Sequence, residues 1–84
     1  MVKKILIVDD NVELRKLVTI TLDYPQFELS QSISADNALQ IITDKSKQPD
    51  LIILDIMMPG KFNGLQLCEY IKKNRNISRL KLFY

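Results

Sequence analysis

Leu51-Ile52-Ile53-Leu54-Asp55, followed at once by Ile56-Met57-Met58-Pro59-Gly60, is the stretch from which the rest of the chain is read. An unbroken run of large apolar residues fits a short strand buried on both faces, as in a parallel sheet. The run closes on a carboxylate, and Pro59 and Gly60 then break the strand and turn the chain. A charged group at the carboxyl end of a buried strand stands where open α/β sheets place their ligands. A second run of the same kind, Ile5-Leu6-Ile7-Val8, also closes on carboxylates, Asp9 and Asp10.

Between and beyond these two strands the spacing changes to that of helices and of a less buried strand. Leu14, Leu17, Val18 and Thr21 recur at helical intervals, which predicts a helix over 11–23. Asp10 is placed to cap it, with Glu13 three residues on as in a capping box. Phe27, Leu29, Gln31 and Ile33 alternate with Glu28, Ser30 and Ser32, which predicts a strand over 27–34 near the edge of a sheet. Ser34 caps a helix expected over 35–45, with Ala35, Ala38, Leu39 and Ile42 on one face. Asn63 caps another, lined by Gly64, Leu67, Cys68 and Ile71 and ending near Asn74. Leu80 to Tyr84 reads as a further strand. The order β-α-β-α-β-α-β argues for a parallel sheet with right-handed crossovers. If the first and third strands lie side by side, Asp9, Asp10 and Asp55 meet at one edge.

Composition sets the bounds. With 84 residues, 46% of them hydrophobic and 26% charged, the chain makes one globular domain and not two. A net charge of +2 is too small to argue for nucleic acid or a membrane surface. Cys68 is the single cysteine, so no internal disulfide forms and a reducing cytoplasm fits best. The first apolar run is too short for a signal peptide or a spanning helix. Histidine is absent, which removes histidine catalysis and histidine metal sites, and there is no glycine-rich phosphate loop. Lys72, Lys73, Arg75, Arg79 and Lys81 read as a solvated basic face at a helix carboxyl end.

Clustered carboxylates repel one another, and either take up a proton or hold a cation. A hard oxygen site with few protein ligands describes magnesium. Beside such an ion, a carboxylate oxygen can attack phosphorus to give an aspartyl phosphate. Taken alone, Asp10 reads better as a helix cap than as a ligand, and Asp55 as readily as a turn residue. Together with Asp9, each closing a buried apolar run, they are harder to explain as turn chemistry, because burying acids without a compensating role is costly.

Lys4-Ile5-Leu6-Ile7-Val8-Asp9-Asp10, the Leu51–Gly60 stretch and Gly64-Leu65 together resemble the receiver domain of two-component response regulators. The resemblance spans the whole chain. It implies a flavodoxin-like parallel sheet of order 2-1-3-4-5 with helices on both faces. It implies that Asp55 is the phosphoacceptor, charged by a sensor histidine kinase or a phosphotransfer protein. Asp10 would ligate Mg2+ directly, Asp9 directly or through water, and the main-chain carbonyl of Met57 would complete the protein ligands. Asn11, next to the acid pair, would border the pocket. Such a module is a regulatory switch, not an enzyme beyond promoting its own phosphorylation and dephosphorylation.

Two departures from the family pattern bear on function. The loop Lys61-Phe62-Asn63-Gly64 is one residue longer than usual. The chain also ends inside the fourth strand, so residues 1–84 are expected to form an incomplete receiver domain without the last strand and the last two helices. The hydroxyl residue and the lysine that bind the phosphoryl group in this family would then have no counterpart within residues 1–84. The fourth strand would then be an exposed edge, and the first helix would cover one sheet face alone. An oligomer, a domain-swapped form or marginal folding is the expectation. The alternative function is a receiver-like interaction or oligomerisation module without productive phosphotransfer. An aspartyl-nucleophile phosphohydrolase is disfavoured because Asp9 and Asp10 are adjacent, whereas those enzymes usually have one residue between the two aspartates.

Overall fold

The computed structural model describes residues 2–55, 58, 62–74 and 81–83. In chain order they form β1 (Lys3–Val8), α1 (Val12–Thr21), β2 (Phe27–Ser32), α2 (Ala35–Thr43), β3 (Leu51–Leu54), α3 (Gly64–Lys73) and β4 (Lys81–Phe83). The strands pair in parallel in the order β2-β1-β3-β4. β1 and β3 therefore are neighbours, as the two apolar runs require, and the less apolar β2 lies at an edge.

The period-two pattern explains the layers. Leu6 and Val8 of β1, with Ile52 and Leu54 of β3, point to one face, where they pack with Ala38 and Ile42 of α2 and Leu67 and Ile71 of α3. Met58 and Cys68 are buried in the same cluster, so both are packing residues. Ile5 and Ile7 are buried on the other face, where α1 packs against β1. No α1 residue is fully buried, and Leu17 and Ile20 remain 60% and 74% exposed.

The element ends differ from the sequence-based expectation in four places. Asp10 does not cap α1, and the expected box with Glu13 does not form. Asn11 is the cap, its side-chain oxygen accepting from the Glu13 and Leu14 N–H groups at 2.9 and 3.2 Å. The Asp9 carboxylate accepts the Asn11 N–H at 2.9 Å, which sets the turn so that Asn11 and not Asp10 faces the helix start. α1 stops at Thr21, ahead of Pro25. The Thr19 and Thr21 hydroxyls bond back to carbonyls four residues earlier, a habit that weakens a helix. β2 ends at Ser32, and Ile33 is 63% exposed. The chain there turns into the Ser34 cap, with the Ser32 hydroxyl buried and donating to the Ser34 carbonyl at 2.9 Å. α2 ends at Thr43 because Asp44 turns the chain, its carboxylate accepting the Ser46 N–H and hydroxyl at 3.0 and 2.7 Å.

Ser34 and Asn63 cap α2 and α3 as read from sequence. Asn63 also forms a reciprocal capping box with Gln66. Lys72 and Lys73 are exposed in the last turn of α3. Leu80, Tyr84, Arg75 and Arg79 lie outside the described residues.

Candidate functional site

Register brings the acids together. Ile5 pairs with Leu51 and Val8 with Leu54, so β1 and β3 end level with each other. The ladder continues one step past both strands. Asp55 N–H donates to the Val8 carbonyl at 3.0 Å, and Asp9 N–H donates to the Ser32 carbonyl at 3.1 Å. Asp9 and Asp55 are thereby fixed side by side at the carboxyl edge of the sheet, with Asp10 next along the chain.

One carboxylate oxygen from each of Asp9, Asp10 and Asp55 lies within 4.8 Å of the other two. Asp9 and Asp55 are half-buried and Asp10 is exposed. Three anionic oxygens at this separation repel one another unless a cation or proton sits among them. The donor set is all hard oxygen, which suits a small divalent cation such as Mg2+ and not a soft metal. The structure thus gathers three of the expected site residues. Met57, whose carbonyl is the fourth, lies outside the described residues. Asn11 stands beside the cluster, but its side chain is committed to the α1 cap.

The cluster opens onto a groove on the α1 face, floored by Ile7 and Ile53 and walled by Leu14 and Val18. Asp9 and Asp55 line it as well.

Two residues at the site were not singled out from sequence. Arg15 donates from Nη1 to the Asp9 main-chain carbonyl at 2.7 Å and from Nε to the Gln31 side-chain oxygen at 3.1 Å. Arg15 lies four residues after Asn11, one turn further along the same helix face. That spacing was the available signal; Gln31 offered none beyond its place on an otherwise apolar strand face.

A family model for the response regulator receiver domain matches residues 5–82. The uncharacterised transcriptional regulatory protein YrkP of Bacillus subtilis is 35% identical over 82 residues, which is 98% of this chain and 34% of that protein. The phosphate regulon transcriptional regulatory protein PhoB of Pseudomonas aeruginosa is 35% identical over 72 residues, 86% of this chain and 30% of its own length. The chain therefore spans about a third of the length of these relatives. Among solved structures, the phosphorylated cyanobacterial phytochrome response regulator RcpA superposes with a TM-score of 0.89 at 25% identity, over 98% of this chain and 63% of that one. The β2-β1-β3-β4 order, the acids gathered at its carboxyl edge and the family match over nearly the whole chain agree, and the chain belongs to the response regulator receiver domain family of two-component systems.

Proposed function

We propose that the chain is a phosphoacceptor switch in which Asp55 takes a phosphoryl group with Mg2+ held beside it. The observation that carries this reading is the approach of the Asp9, Asp10 and Asp55 oxygens to within 4.8 Å of one another. Asp9 and Asp10 would hold the ion together with Asp55, and the Met57 carbonyl is the further candidate ligand. The ion, when bound, supplies positive charge against the phosphoryl oxygens. An Asp55 carboxylate oxygen forms the new bond to phosphorus as the donor's bond to phosphorus breaks, and the electron pair leaves with the donor. The β1–β3 register sets Asp55 in place, so little covalent chemistry is left to the protein beyond positioning and charge balance.

The donor in this reading is a sensor histidine kinase or a phosphotransfer protein, and the setting is the cytoplasm. The role is regulatory. Asp9, Asp10 and Asp55 form the acceptor and cation-holding side of the receiver site.

The test is the intact mass of the chain after incubation with Mg2+ and an acyl phosphate, beside an Asp55→Asn variant. A gain of one phosphoryl group by the wild type, absent in the variant, is expected. A folded wild-type chain that gains nothing overturns the reading.

The second reading, an interaction or self-assembly module, draws on the position of β4 at the edge of the described sheet. Unpaired main-chain groups on an edge strand invite pairing with another chain. A folded, unreactive chain that sediments as a dimer or larger species favours it.

A further inference from the structure

We propose that Arg15 is a positioning residue for the acid cluster, holding the Asp9–Asp10 peptide so that the three carboxylates converge on a divalent cation. The inference rests on the cation-site reading of that cluster.

Asp9 is held at three points. Its N–H donates to Ser32 of β2 at 3.1 Å, its carboxylate accepts from Asn11 at 2.9 Å, and its carbonyl accepts from Arg15 at 2.7 Å. The third contact fixes the plane of the peptide that leads into Asp10. Asp10 is exposed, and this peptide links it to the anchored Asp9. Arg15 is itself anchored, because Nε reaches Gln31 on the edge strand at 3.1 Å. The planar guanidinium spans both acceptors with donors in fixed relation. A charge-assisted bond to the carbonyl is stronger than a neutral one. Arg15 thus ties α1, β1 and β2 together beside the acids.

Charge alone predicts the opposite outcome from positioning. Arg15 is a cation close to a cation site, so removing its charge should tighten metal binding if charge were its only effect. If positioning dominates, removing it weakens binding. Groups that orient metal ligands from behind typically carry about 10–100-fold in affinity.

The experiment is an Mg2+ titration of the 84-residue chain, read from the amide chemical shifts of Asp9, Asp10 and Asp55, with a thermal melt of each variant. Arg15→Ala is expected to raise the dissociation constant about 10-fold. Arg15→Lys keeps the charge, but its single ammonium cannot replace the fork, so its constant also rises. Gln31→Ala, at an exposed position, raises it less. An unchanged or tighter constant in a folded Arg15→Ala or Arg15→Lys variant overturns the proposal. If Arg15→Ala does not fold, Arg15→Lys and Gln31→Ala decide. If the wild-type amides do not respond to Mg2+ at all, the cation-site reading falls and the positioning role with it. That result is distinct from a wild type that binds and variants that match it.

Discussion

Asn11 and Asp44 show how single polar side chains set where helices begin and end. Asn11 satisfies two main-chain N–H groups at the start of α1. This leaves the Asp10 carboxylate outside the cap, where it can join Asp9 and Asp55. A cap at Asp10 would have drawn its oxygen towards the helix and away from the cluster. Asp44 closes α2 by accepting from Ser46. The Ser46 hydroxyl chiefly, then the Ser46 N–H, with the Lys47 charge as a lesser contribution, holds the Asp44 carboxyl below the usual aspartate range. A lowered carboxyl contributes stability that is present above its unfolded pKa and lost as pH falls through the folded one. An NMR titration should therefore place the Asp44 midpoint below that of an unstructured aspartate, and Ser46→Ala should move it back up. An Asp44 midpoint equal to that of a free aspartate would refute the turn.

The helices differ in what they bury. α2 places Ala35, Ala38 and Ile42 in the core, and α3 adds Leu67, Cys68 and Ile71. Ile42 is fully buried between the sheet and its neighbours. Truncation there removes contacts and leaves a cavity, so Ile42→Ala should cost about 2–5 kcal/mol in chemical denaturation. A loss under about 0.5 kcal/mol, the range of surface changes, would mean that α2 does not pack as described. α1 has the same apolar spacing but no buried residue. Its role near the site is polar: Asn11 starts it, and Arg15 reaches back to the end of β1 and across to β2.

Among the described residues the two sheet faces differ. One sheet face carries the main core beneath α2 and α3, while the other is met by α1 with Val12, Leu14, Leu17 and Ile20 all prominently exposed. Exposed apolar side chains grouped on one helix are a candidate contact or aggregation surface. Leu17→Lys should leave the melting temperature nearly unchanged, because Leu17 is already 60% exposed, and should raise the concentration at which the chain aggregates. A large fall in melting temperature would show that this face is covered.

Fold type and strand content were legible because the relevant signals are local. Two apolar runs ending in aspartate, a 3.6-residue period in three segments and cap residues at Ser34 and Asn63 each depend on neighbours in the chain, and the hydrophobic pattern fixes which way they face. The candidate acids could be named for the same reason, since each closes a strand. What needed the tertiary structure was non-local or competitive. The common end-point of β1 and β3 sets the 4.8 Å convergence of the carboxylates, and register is a property of paired strands. The choice of Asn11 over Asp10 as cap was decided by a competing hydrogen bond from the Asn11 N–H to Asp9. Arg15 acquired its place only when α1 folded back against β1 and β2, because its two acceptors lie 6 and 16 residues away along the chain.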